Sequence, residues 1–146
     1  IPLRLVGSEM CIRDRFLHSL IVGFMLFFMG VISPVVFKTL KVEDAGIFLR
    51  KLFPRMFLYG MILASIAFLL TLNNYTSIYW IISLVSAIFF AANLFFITPR
   101  INQFRDEANL GNSQSEKNFK RFHFLSVFLF IIQLLGSLYL LTIFFY

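Results

Sequence analysis

The sequence has little of what chemistry in water requires. Its 146 residues include seven acidic side chains, two histidines and one cysteine. With one cysteine there is no disulfide within the chain, and cysteine usage gives no guide to redox compartment. No HExxH, CxxC, P-loop or GxSxG pattern occurs, so hydrolase and nucleotide chemistry have no visible apparatus. Beyond residue 15, no Asp, Glu, Lys or Arg falls within the four long apolar stretches. Ion- and proton-coupled carriers usually place such groups at mid-membrane, so coupled transport is disfavoured. Alternation of polar and apolar residues is also missing from runs such as Ile62 to Leu70, which excludes the strands of a membrane β-barrel.

What the chain does have is hydrocarbon. Sixty per cent of its residues are hydrophobic, above the roughly 45 to 50% of a soluble domain, which makes the bilayer its main solvent. Phe16 to Phe37, Met56 to Leu72, Ile78 to Thr98 and Phe124 to Tyr146 each approach the ~20 residues a helix needs to cross the hydrocarbon. Helices are then the only way to satisfy the backbone. The expected fold is an all-α membrane protein, a four-helix transmembrane bundle forming one domain over residues 16–146.

Residues 1–15 read differently. Leu5 to Arg15 resembles the translation of a sequencing-library transposase adapter, with Met10-Cys11-Ile12-Arg13-Asp14 matching its codons. The segment is expected to be a non-native tail and is set aside in reading the fold. Cys11 goes with it, and the net charge of +6 becomes +5.

Five basic residues (Lys38, Lys41, Arg50, Lys51 and Arg55) lie between the first and second spans, and five (Arg100, Arg105, Lys117, Lys120 and Arg121) between the third and fourth. The short turn Asn73 to Ser77 has none. Basic residues near span ends are retained in the cytoplasm, so both long loops are expected there, with the termini and the short turn outside, in a bacterial inner membrane. Tyr75, Tyr79, Trp80 and Tyr146 fall at the expected outer boundary, where amphipathic rings prefer to sit. Glu43, Asp44, Asp106, Glu107 and Glu116 interrupt the basic residues, which argues against a nucleic-acid stripe. The expected partners are the lipid bilayer and, beyond it, a second copy or another membrane protein. Asn74-Tyr75-Thr76 matches a glycosylation sequon, but it sits in a turn too short to present it.

In the first loop Ala45, Phe48, Leu49, Leu52, Phe53 and Met56 repeat at helical spacing, with acids in the first turn and bases in the last. This predicts an amphipathic helix lying at the interface between spans one and two, with Pro54 marking the bend into the second span. The second loop continues the third span past Pro99, breaks at Gly111 to Ser115, and offers Ser115 as the cap of the last helix.

Small residues mark where helices can approach. Gly23 and Gly30 lie seven apart, Gly60, Ala64 and Ala67 form a stripe, and Gly136 adjoins Ser137. Pro34 is expected to kink the first span. Asn93 and Gln133 lie deep enough to need partners. The stripes Ser83, Ser86, Phe90, Asn93 and Ser126, Gln133, Ser137 are expected to meet inside the bundle through hydrogen bonds. His18 and His123 are read as polar residues at opposite ends, separated by a helix length of ~30 Å and unable to share one metal.

Gly23-x-x-x-Phe27-Phe28, Ser33-Pro34-Val35-Val36-Phe37, Leu52-Phe53-Pro54-Arg55, Asn93 with Pro99-Arg100-Ile101 and Arg105-Asp106, and Phe122-His123-x-x-Ser126 together resemble the family of the domain of unknown function 4149, which includes the transmembrane protein 205-like proteins. The resemblance implies a four-span membrane protein with no agreed activity. It marks Gly23, Pro34, Phe37, Phe53, Asn93, Pro99, Arg105, Phe122, His123 and Ser126 as candidate important residues, to which the polar pattern adds Gln133. A looser likeness runs through Leu17-His18-Ser19, Gly23 and Gly30-x-x-x-Pro34. These are similar to the opening helix of copper-resistance D-type and HemJ-type membrane proteins, and imply His18 as a ligand of haem b or copper. The chain departs from that pattern by lacking a second histidine at a compatible depth and an intramembrane lysine. The expected function is a non-enzymatic small transport-related, membrane-stress or scaffold protein, with no catalytic residues and no cofactor. The haem or copper protein is the alternative.

Overall fold

A computed structural model of the chain describes residues 3–72 and 78–142, with side chains from residue 12 onward. Tyr75, Tyr146, the Asn73 to Ser77 turn and its sequon lie outside the described residues. The chain runs α1 (Leu3–Phe27), a π-helical turn (Phe28–Ile32), α2 (Ser33–Thr39), α3 (Val42–Leu70), α4 (Ile78–Ala92), a second π-helical turn (Asn93–Ile97), α5 (Thr98–Asn109) and α6 (Ser113–Thr142). These make four rods, each long and apolar enough to cross a membrane, and the protein is an all-α, multi-pass membrane bundle.

Both π turns precede a proline. Pro34 and Pro99 have no N–H to give to a preceding carbonyl, and their rings press on the turn before them. The chain responds by widening that turn: Ser33 N–H bonds to Phe28 O, and Thr98 N–H to Asn93 O. Pro34 therefore acts on the first rod through a bulge with a definite register. Pro54 behaves differently. It lies inside α3, which continues through it without a break for 29 residues. The amphipathic segment of the first loop is helical, as its spacing predicts, but it is the opening of the second span and not a separate element at the interface. Its apolar residues explain why: Ala45 and Leu49 are buried on Val36 of α2, with Phe28, Ile32, Leu52 and Phe53 packed around them, so the stripe is spent on the neighbouring rod.

A 29-residue helix is ~44 Å long against a hydrocarbon thickness of ~30 Å. The start of α3, the whole of α5 and the start of α6 project at one end of the bundle, and the ten basic residues of the long loops gather there. At the tip of α5, Gly111 adopts φ +94°, which favours glycine, and the chain turns into α6. The side chain that caps α6 is that of Asn112, whose Oδ1 accepts from Gln114 and Ser115 backbone N–H at 3.0 and 3.2 Å. Ser115, the expected cap, instead donates its hydroxyl to Glu107 Oε2 on α5.

The rods form a square in which α1 and α4 each pack on α3 and α6 and face one another across the diagonal. The core is built from Ile21, Met25, Phe57, Ala64, Phe90 and Leu134, with rings edge-on and tilted, such as Phe24 to Tyr59 at 5.4 Å. Gly60, Ala64 and Ala67 are buried, as a close-approach stripe should be. Gly23 and Gly30 are not: both are exposed, and a Cβ on either would meet nothing within 4 Å. Their seven-residue spacing does put them on one face of the first rod, but that face looks outward.

Candidate functional site

Polar side chains occupy three levels inside the bundle. At the level furthest from the basic end, His18 is fully buried, with Nδ1 3.0 Å from Ser137 Oγ and Nε2 2.9 Å from Ser83 Oγ. It reaches across the diagonal to α4 and sideways to α6. A hydroxyl both donates and accepts, so either imidazole tautomer completes both bonds. His18 is thus an interior strut and not a residue of the outer boundary. Its neighbours Ile21, Val22 and Met25, three, four and seven residues on, are buried too, which places it on the core face of α1.

One level in, Gln133 Nε2 donates to Ser86 O at 3.0 Å, while its Oε1, also buried, has no partner among the described residues. Below it Phe90 and Phe130 form an apolar layer. At the third level Ser126 Oγ donates to Asn93 Oδ1 at 2.7 Å, and Asn93 Nδ2 to Phe89 O at 3.3 Å. The two stripes on α4 and α6 do meet. They form separate links, because the phenylalanine layer interrupts any continuous polar path along the bundle axis.

Ser126 also lines a second feature. A cavity of about 600 Å³ opens among α2, α3, α5 and α6 at the basic end. Its deep wall is aromatic: Phe28 lies 5.5 Å from Phe53 and 6.2 Å from Phe130, and Phe53 stacks on Phe57 at 5.9 Å. Its outer wall carries Arg50, Asn102, Arg105, Asn109 and Glu116. Along α6 it runs from Glu116 to Phe130, fourteen residues and so ~21 Å. The cavity is therefore long, apolar at one end and polar at the other.

The charges on that rim are mostly spoken for. Arg50 grips Asp106 with two bonds, Nη2 to Oδ1 at 2.6 Å and Nη1 to Oδ2 at 3.2 Å, clasping α3 to α5. The Arg50 guanidinium holds the Asp106 carboxyl below its ordinary range, first by hydrogen bonding and then by charge, and the neighbouring Arg105 charge adds to this without forming an ion pair. Glu116 pairs with Lys120 at 2.7 Å, four residues on, which lowers its carboxyl too. The Arg100 guanidinium stands 5.9 Å from the centre of the Phe122 ring. Arg105, partly buried, makes no ion pair among the described residues. Its guanidinium lies against the bare backbone of Gly46, where a Cβ would come within 2.6 Å of Nη2 and 2.9 Å of Cζ.

Of the candidates from sequence, Phe37, Phe53, Arg105, His123 and Ser126 line the cavity, and Asn93 joins it through Ser126. Pro34 and Pro99 set the two bulges, Phe122 packs on Phe104 at 5.3 Å, and Gln133 belongs to the ladder. Gly23 touches none of them. Sequence reasoning missed Gly46, and it missed Ser83 and Ser137 as partners of His18. The signal for the serines was present, since each shares a helical face with a polar residue already singled out.

The two histidines lie too far apart to share one metal ion. His123 and His18 belong to opposite halves: His18 sits beside Ser137, fourteen residues or ~21 Å along α6 from His123. Both nitrogens of His18 are engaged by hydroxyls, and no group of three or more His, Cys, Asp or Glu among the described residues is arranged to hold a metal ion. Residues 16–110 match a family described as a domain of unknown function, DUF4149. No curated protein and no solved structure matches the chain.

Proposed function

The chain belongs to the DUF4149 family, and from that footing we propose that it is a non-enzymatic membrane protein that takes up an apolar, chain-like ligand in the cavity at its basic end. Of the transport-related, stress and scaffold roles its sequence allows, this is the transport-related one. The carrying observation is the cavity itself, ~21 Å long with an aromatic floor. Phe37, Leu40 and Val42 stand at its margin and are exposed, which gives the cavity an apolar entrance beside the projecting end of the bundle. We place the basic end in the cytoplasm of a bacterial inner membrane, on the positive-inside rule. A haem or copper role for His18 would require one of its two serine bonds to be given up, the other ring nitrogen keeping its hydroxyl, and no observation favours it.

The test uses a long-chain alkane bearing a photoreactive diazirine, mixed into nanodiscs containing the protein. Cross-links are expected on Phe53, Phe57 and Phe130, and are expected to be lost in Val127→Trp, which fills the cavity, but kept in Val85→Trp, which faces lipid. Labelling confined to outward residues such as Leu69 and Phe96, unaffected by Val127→Trp, rejects the proposal.

A further inference from the structure

We propose that the ligand carries one negative charge at its polar end, a long-chain carboxylate whose head is seated by Arg105. This rests on the cavity reading above and adds the identity of the head. The argument is a charge balance over the cavity wall. Arg50 and Asp106 cancel, and their bidentate geometry leaves neither free. Glu116 is offset by Lys120. Arg105 remains as the lining cation without a carboxylate partner among the described residues. Its planar fork matches an oxyanion with two parallel N–H bonds, in a partly buried setting where such bonds are strong.

Gly46 makes the seat. With no side chain there, the guanidinium lies flat on α3 and is held at the cavity wall. The aromatic floor formed by Phe28, Phe53, Phe57 and Phe130 takes the chain. A monoanion balances the single unpaired cation, whereas a dianionic phosphate head would leave net negative charge beside Glu116. The match between tail, length and charge therefore selects a fatty carboxylate.

The test compares three ligands of equal chain length, palmitate, hexadecanol and hexadecyl phosphate, binding to the full chain in nanodiscs, read by competition with the photoreactive alkane. Palmitate is expected to compete best, about tenfold or more better than hexadecanol. Arg105→Gln and Gly46→Ala should each reduce palmitate to the level of the alcohol and leave hexadecanol unchanged. Gly46→Ala preserves the charge and moves only the flexible end of Arg105, so it separates the seat from the general field of the basic loops. Palmitate and hexadecanol competing equally, with both variants indifferent, overturns the charged head while the cavity reading stands. Hexadecyl phosphate competing better than palmitate overturns the carboxylate. If no ligand competes and Val127→Trp changes nothing, the cavity reading itself has failed.

Discussion

Phe90 of α4 lies directly against the backbone of Gly60 on α3: a Cβ built on the glycine would fall 2.6 Å from both Cε1 and Cζ of the ring. The ring is fully buried and has nowhere to retreat. Gly60→Ala should therefore destabilise the bundle by about 1 to 3 kcal/mol through overpacking, less the ~1 kcal/mol that alanine contributes to a helix over glycine. Thermal or denaturant unfolding in detergent checks this, and Phe90→Leu should relieve the clash in the double variant. A Gly60→Ala protein clearly more stable than the parent would show that α3 and α4 are not this close.

The His18 strut ties three rods. His18→Ala removes two interhelical bonds, each about 0.6 to 2 kcal/mol in a membrane, and leaves a void beside Ser83 and Ser137. The combined loss should exceed that of Ser83→Ala or Ser137→Ala alone. A double-mutant cycle between His18 and Ser83 should give a coupling of the order of 0.6 kcal/mol or more. Zero coupling would mean the imidazole points elsewhere.

These two contacts show what sequence patterns could and could not reveal. The spans, their number and the gathering of charge at one end follow from hydropathy and spacing, because lipid leaves the backbone no alternative to helix. The polar faces of α4 and α6 could be read because each is a strict helical stripe. Whether a face looks inward was not readable for Gly23 and Gly30, since glycine is as apolar to lipid as to a neighbouring helix. The amphipathic segment before Pro54 reads in the sequence as a separate interfacial helix, yet it is continuous with the second span. Proline removes one hydrogen bond, but packing of Ala45 and Leu49 on Val36 holds the helix on course through it. The cavity could not be foreseen at all. It depends on how far α3 and α5 stand apart, and their residues at the basic end read as ordinary amphipathic helix.

Gln133 and Asn93 look equivalent in sequence but differ in satisfaction. Asn93 has both ends of its amide bonded, whereas Gln133 Oε1 is buried without a partner among the described residues. Asn93→Leu should lose about 1 to 2 kcal/mol, because it also strands the Ser126 hydroxyl. Gln133→Leu removes one good bond together with an unmet acceptor, so it should fall within ~1 kcal/mol of neutral. Paired unfolding curves decide it, and an equal, large loss in both variants would mean that Gln133 Oε1 is satisfied by a bound water.

The same logic applies at the basic end, where protons are the reagent. Glu107 accepts from Ser115 on α6 and from Gln103 Nε2 at 2.9 Å; those bonds hold its carboxyl below the ordinary value of 4.5, the serine contributing most. Asp106 is held below its ordinary 3.8 by Arg50. In the unfolded chain both groups take up protons first as pH falls, so the stability they provide is present above those ordinary values and is lost as pH drops through the lower folded ones. The unfolding midpoint should therefore be level through the neutral range and decline below about 4.5. Glu107→Gln keeps an acceptor for Ser115 but no longer titrates. It should start from a lower midpoint at neutral pH and fall less steeply in acid, and Asp106→Asn should do the same while opening the clasp between α3 and α5. Parallel acid limbs in the parent and both variants would place the acid-sensitive groups elsewhere in the chain.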